Sequence, residues 1–111
     1  MRAAVMRQNK LVVDTLPDPK PGSGQVLVKT LACGICGSDL HALKFADRMV
    51  AMAQRSGAPM SMDLGRDIVM GHEFCAEVVD YGPDTQRTVP LGQRVCSFPI
   101  AFTPTAFGTV G

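Results

Sequence analysis

Apolar and polar positions alternate in short runs along the first third of the chain, and the elements they predict are mostly strands. Ala3 to Met6 and Leu11 to Leu16 are apolar and flank Arg7-Gln8-Asn9-Lys10, a polar stretch that predicts a hairpin turn. Pro17-Asp18-Pro19-Lys20-Pro21-Gly22-Ser23-Gly24 reads as a loop, because its prolines withhold backbone donors and fix φ. Gln25 to Ala32 follows as a strand, with Val26 and Val28 on one face and Leu27, Lys29 and Leu31 on the other.

The period changes at Cys33-Gly34-Ile35-Cys36-Gly37-Ser38. Ser38 is the expected N-cap of a helix from about Asp39 to Arg55, whose Leu40, Leu43, Ala46, Val50 and Ala53 form an apolar stripe at helical spacing. Gly57 and Pro59 end it, and a Met-rich loop runs to about Asp67. Phe74 to Tyr81 reads as another strand, closed by Gly82-Pro83-Asp84. Arg94 to Phe98 is a last short strand before a tail of Thr, Pro and Gly. No internal repeat or low-complexity tract interrupts this order. The predicted fold is α+β, mostly β with one or two helices. A small barrel lets short strands with glycine corners bury their faces and lose their edges.

Composition narrows the functional classes. A chain of 111 residues with 46% hydrophobic content suits one compact domain. Eleven basic residues against ten acidic give a formal charge of +1, with the signs scattered, so neither nucleic acid nor a membrane surface is an expected partner. No apolar run is long enough for a signal peptide or a membrane span, and a cytoplasmic location is expected. The four cysteines are then expected to be reduced, which turns attention to metal binding or redox chemistry.

The two histidines each lie beside other reactive groups. His41 follows Cys36, Ser38 and Asp39, and His72 stands in Gly71-His72-Glu73 at a strand start. If Cys36 and His72 meet, a thiolate and an imidazole supply two ligands of the kind zinc prefers. Glu73 and Asp39 are then available as a third ligand or as a partner to the His72 ring. Simpler readings stand beside this one. Cys33-x-x-Cys36 has the spacing of a thiol-redox pair, although no parallel βαβ framework surrounds it. Cys75 and Cys96, each standing alone, read as small core residues. His41 taken alone is a solvated helix residue, Ser38 a cap and His72 a satisfied buried histidine. The methionines from Met49 to Met70 read as core or lid packing.

The order of motifs resembles one family. Cys36-Gly37-Ser38-Asp39-Leu40-His41, entered through Cys33-Gly34-Ile35, is similar to the first zinc-ligand motif of the zinc-dependent medium-chain dehydrogenases and reductases. Gly71-His72-Glu73 resembles their second motif. Gly92-Gln93-Arg94-Val95 resembles their later Gly-Asp-Arg-Val corner, with Gln in place of Asp. The resemblance implies a GroES-like, partly open β-barrel spanning residues 1–111 and serving as the catalytic domain of an alcohol or polyol dehydrogenase. It further implies that Cys36 and His72 hold one catalytic Zn2+ with Glu73 either as a further ligand or exchanging with water, that Asp39 orients the His72 ring, and that Ser38 hydrogen-bonds the substrate hydroxyl. His41 would pass the substrate proton to solvent through the ribose of NAD or NADP.

Elementary acid–base chemistry agrees with a metal. A bulk hydroxyl ionises near the ~15.7 of water and an imidazole near ~6.5, so a lone histidine base faces a mismatch of about 12 kcal/mol. Zinc lowers the pKa of a bound water to ~7, and a bound alcohol is expected to ionise likewise before its hydride passes to a nicotinamide.

Two departures from the family pattern stand out. After the Gly92–Val95 corner only Cys96 occurs where many relatives carry four cysteines, so a second, structural zinc is not expected. No Gly-x-Gly-x-x-Gly follows a strand, and the dinucleotide-binding domain and a further zinc ligand are expected beyond Gly111. Such a chain is expected to be inactive alone and to self-associate, the whole enzyme forming a homo-oligomer. The contrasting expectation is a non-catalytic GroES-like binding or assembly module.

Overall fold

The computed structural model describes residues 1–58, 62–98, 100–102 and 107–109. Its first element is the hairpin that the Arg7–Lys10 stretch predicts. β1 (Arg2–Arg7) and β2 (Lys10–Thr15) pair antiparallel, from Arg2 opposite Thr15 to Arg7 opposite Lys10. Only Gln8 and Asn9 remain for the turn, and both take positive φ, 50° and 60°. That handedness matches the twist of the strands it joins. The Asn9 amide donates to Asp47 Oδ2 at 3.0 Å and ties the turn to the helix described below.

A short strand absent from the sequence expectation, β4 (Ile68–Val69), pairs with the other edge of β1 and gives the order β2-β1-β4. Two residues carry no legible period, so the segment reads as part of the Met-rich loop. Between its neighbours β1 buries Val5 and Met6, at 0% and 2% exposure.

The second sheet has the order β3-β5-β6, with β3 at Val26–Gly34, β5 at Glu73–Tyr81 and β6 at Arg94–Val95. Register shifts at Leu27/Val28 and Thr30/Ala32 break the simple alternation of β3. That is why Val26 and Leu31, expected on opposite faces, are both exposed. On β5, Ala76 and Val78 form the buried face. Cys75 and Cys96 are exposed rather than core; Cys75 alternates with Ala76 and so lies on the other face of β5 from the buried Ala76 and Val78. β6 is also shorter than the expected Arg94–Phe98. Cys96, Ser97 and Phe98 are all exposed, so no burial extends the ladder. The tail expected to be irregular contains a further hairpin, β7 (Ile100–Phe102) against β8 (Phe107–Thr109).

One helix, α1 (Gly37–Ser56), lies between β3 and β4. Its N-cap is Cys36, not Ser38: Cys36 is extended, at φ −84° and ψ 150°, and its N–H donates to Asp39 Oδ2 at 2.9 Å. An acceptor three residues into the helix outcompetes Ser38 for the cap, and the Ser38 hydroxyl takes no part in it. At the other end Gly57 takes φ 64°, and Ala58 N–H reaches back to the Ala53 carbonyl at 3.0 Å. Pro59 and Met60 lie outside the described residues. The buried helix positions are Asp39, Ala42 and Ala46, while Leu40 is 61% exposed. Leu43, Ala46, Val50 and Ala53 keep to the expected stripe and only Leu40 departs from it; the helix also kinks at Phe45, at φ −133° and ψ 21°. Among the described residues the architecture is therefore α+β, mostly strands with one helix, in sheets that stay partly open. Among the described residues no helix is long and apolar enough to cross a membrane.

Arg7 clasps the first sheet from outside. Its guanidinium donates to both Asp67 oxygens, at 2.8 and 2.5 Å, and to Asp14 at 2.8 Å. The Arg7 hydrogen bond holds the Asp67 carboxyl below its ordinary range, and does the same at Asp14 with help from the Thr15 N–H. A carboxylate with a depressed folded pKa stabilises the fold above its unfolded pKa of ~3.9 and loses that contribution as pH falls through the folded value. The melting temperature should therefore fall on acidification below about pH 4. Arg7→Met should lower it at neutral pH and shrink the acid-dependent drop, as circular-dichroism melts across the pH range would register.

Candidate metal centre

The site forms where the end of β3, the first turn of α1 and the start of β5 converge. Antiparallel pairing of β3 with β5 puts Gly34 opposite Glu73 and Cys33 opposite Phe74. Cys36, two residues past β3, is therefore carried toward His72 and Glu73. A side chain at position 34 would crowd this corner, since a Cβ there would lie 3.0 Å from Glu73 Oε2 and 3.4 Å from Glu73 Cβ. Gly71 is constrained twice. Its φ is 110°, and a Cβ on it would lie 2.8 Å from Cys33 Sγ. The chain enters His72 through a backbone conformation that other residues rarely adopt.

Cys36, His72 and Glu73 each offer one ligand atom, and these atoms lie within 4.8 Å of one another. Cys36 and His72 are half-buried and Glu73 is exposed, so the cluster opens to solvent on its carboxylate side. Asp39, 9% exposed, backs it. One of its oxygens lies 3.3 Å from His72 Nδ1, and the other accepts the Cys36 N–H. A carboxylate facing Nδ1 fixes the proton there and leaves Nε2 as the acceptor. The Ser38 hydroxyl, 3.2 Å from Nε2, then donates to it.

His41 stands apart from this bonded set. It lies one turn along α1, exposed, with Nδ1 3.2 Å from the Gly37 carbonyl. A carbonyl only accepts, so Nδ1 carries the proton and Nε2 faces outward. The ring tilts against Phe45 at 5.8 Å, and Lys44 Nζ lies 5.2 Å from the centre of the Phe45 ring. Leu40, His41, Lys44 and Phe45 line a shallow depression. Cys33 does not join the cluster despite its C-x-x-C spacing. The structural roles of Gly34 and Gly71 escape a sequence reading, because only the strand register reveals what each would otherwise touch.

Residues 22–108 match the alcohol dehydrogenase GroES-like domain family. This chain belongs to that family. Its motifs and fold are those of the amino-terminal domain of the medium-chain dehydrogenases, a family of oxidoreductases. It is 41% identical over 80 residues to an L-threonine 3-dehydrogenase of Streptomyces coelicolor, a match covering 72% of this chain and 20% of that protein. With the (R,R)-butanediol dehydrogenase of Bacillus subtilis it shares 33% identity over 104 residues, covering 93% of this chain and 29% of the relative. The crystal structure of 2R,3R-butanediol dehydrogenase from Bacillus subtilis superposes with a TM-score of 0.69 at 27% identity, covering 99% of this chain and 33% of that one. A candidate zinc-binding dehydrogenase from Sinorhizobium meliloti, bound to NADP, superposes at 0.65 with 30% identity, over 90% of this chain and 25% of the other. This GroES-like domain thus spans between a fifth and a third of the length of these relatives.

The geometry around Gly71 yields a direct test. Gly71→Ala places a side chain at positive φ and against the Cys33 sulfur, so the fold should lose roughly 1–3 kcal/mol. Urea unfolding of the variant beside the parent protein measures the loss. A Gly71→Ala protein as stable as the parent would show that this entry into His72 is unconstrained.

Proposed function

We propose that this chain is the GroES-like catalytic domain of a zinc-dependent, NAD- or NADP-linked dehydrogenase that oxidises a small alcohol or polyol. The observation carrying this reading is the convergence of Cys36, His72 and Glu73 within 4.8 Å, which brings sulfur, nitrogen and oxygen donors to one point. That donor set fits zinc, whose sites combine thiolate, imidazole and carboxylate, and an open side toward solvent leaves room for substrate. When bound, zinc would act as a Lewis acid that brings a substrate hydroxyl's pKa toward neutrality.

The chain's own residues divide the remaining work. Asp39 holds the His72 ring through Nδ1, so that Nε2 points into the cluster. Ser38, free of capping duty, is positioned to turn its hydroxyl from His72 Nε2 to a substrate oxygen and take up its proton. His41 offers Nε2 as an acceptor from which that proton would reach solvent, and it is the residue that would meet the ribose of a bound NAD or NADP. Glu73 reaches the same point from the solvent side and can ligate or withdraw. The relatives named for butanediol and threonine support an alcohol-bearing small molecule as substrate. The convergence of Cys36 with His72 favours this reading over a non-catalytic module. The placement of Cys33 outside the cluster weighs against a thiol-redox function.

Cobalt(II) titration reports the centre without turnover. The parent chain should develop a thiolate-to-cobalt absorption band that Cys36→Ser abolishes, and Asp39→Asn should weaken metal affinity about 10–100-fold while leaving the band in place. A band of equal strength in Cys36→Ser would remove the thiolate from the site. The 111-residue chain alone, supplied with zinc, a nicotinamide cofactor and a panel of alcohols, should show no turnover and should lose zinc on dialysis. One tightly held zinc per chain after dialysis, or measurable turnover, would refute the claim that a further ligand and the cofactor-binding half are needed.

A further inference from the structure

Two exposed cysteines outside the metal centre share one end of the second sheet. On β5, Ala76 and Val78 face the core, so Cys75 lies on the opposite, open face with Glu73 and Glu77. β6 pairs with β5 so that Ala76 meets Val95 and Glu77 meets Arg94. Cys96 is the first residue past the end of β6, and continuing the same antiparallel register by one residue would set it opposite Cys75. The Val78 N–H donates to the Gln93 carbonyl at 3.0 Å, which flanks the Glu77–Arg94 pair and makes it a non-hydrogen-bonded position. Two residues along, the Cys75–Cys96 position would be of the same kind, where paired Cα atoms are ~4.5 Å apart and side chains are closest. That spacing falls within the ~4.4–6.8 Å over which a disulfide closes.

We propose that Cys75 and Cys96 form an oxidation site that closes to a cross-strand disulfide when a low-molecular-weight disulfide such as oxidised glutathione is present. One of the two sulfurs attacks the glutathione disulfide and loses its proton to solvent; the glutathione S–S bond breaks and one glutathione leaves as a thiol. The second cysteine then attacks the mixed disulfide, loses its proton, and releases the other glutathione. The protein gives up two electrons and two protons in all, and the glutathione disulfide is reduced to two thiols. The other cysteines are placed differently. Cys33 lies opposite Phe74, on the other face of the sheet from Cys75, with its sulfur against Gly71, and Cys36 belongs to the metal cluster. Both sulfurs of the proposed pair are exposed, so oxidant and reductant reach them. The bond would span the two-residue ladder that joins β6 to β5. It does not depend on the metal reading.

Trypsin separates the candidates cleanly. Cleavage after Lys29, Lys44, Arg66, Arg87 and Arg94 puts Cys33 and Cys36 together in residues 30–44, Cys75 in residues 67–87 and Cys96 in residues 95–111. After incubation with oxidised glutathione and capping with iodoacetamide, mass mapping should find residues 67–87 joined to 95–111, with Cys33 and Cys36 both alkylated. Cys75→Ser and Cys96→Ser should each abolish the link and leave the remaining partner as a glutathione adduct. Cys33→Ser should retain it, with circular dichroism confirming that all three variants are folded. A bond inside residues 30–44, a link from Cys33 or Cys36 to either other peptide, or glutathione adducts without the cross-link in the parent protein would overturn the proposal. So would four alkylated cysteines.

Discussion

The arrangement of the candidate centre depends on one carboxylate. Asp39 accepts the N–H of Cys36 with one oxygen and faces His72 Nδ1 with the other, at 2.9 and 3.3 Å. The first contact starts the helix, and the second joins that helix to the strand carrying His72. A buried acid so placed is satisfied on both sides, which a carboxylate at this depth requires. The same group therefore holds the Cys36 backbone and the His72 imidazole together. The same contact fills the cap that Ser38 would otherwise supply, and the Ser38 hydroxyl meets His72 Nε2 instead.

Around that carboxylate the rest of the fold acts as support. The hairpin turn is held to α1 by Asn9 and Asp47, and Arg7 reaches across to Asp67 at the root of the segment that leads to His72. Gly34 and Gly71 keep clear the space into which Glu73 and Cys33 project. These contacts come from four separate stretches of chain. The site is consequently a property of tertiary structure, although its residues fall in two short motifs.

Much of this was legible from the residues alone. The hairpin, the Pro/Gly loop, β3, α1 and β5 announce themselves by period and punctuation, and the two motifs announce by residue type the sulfur, nitrogen and oxygen donors that converge. What remained hidden has physical causes. β4 is too short to show a period, and the bulges of β3 reset its alternation without a glycine or proline at the shifts. On α1 the inward face runs through Asp39, Ala42 and Ala46, with the polar Asp39 buried where the hydrophobic Leu40, its neighbour, is not. The cap went to Cys36 because the deciding acceptor sits three residues downstream, a competition that residue preference at the cap alone does not resolve. Exposure of Cys75 and Cys96 follows from what does or does not cover the outer face of β5, which no local pattern encodes.

The crossing of Gly82 over Gly22 carries a further implication. A Cβ at position 82 would sit 1.8 Å from the Gly22 carbonyl oxygen, and the Gly82 N–H donates to the Gln25 carbonyl at 2.8 Å. Surface loops ordinarily absorb insertions and deletions, but here two backbones are in van der Waals register with nothing compressible between them. The Pro17–Gly24 segment is thereby indexed to the far end of β5. Evolutionary drift in its length would have to be matched at the Tyr81–Pro83 corner, so two distant stretches of the gene are expected to vary as one unit.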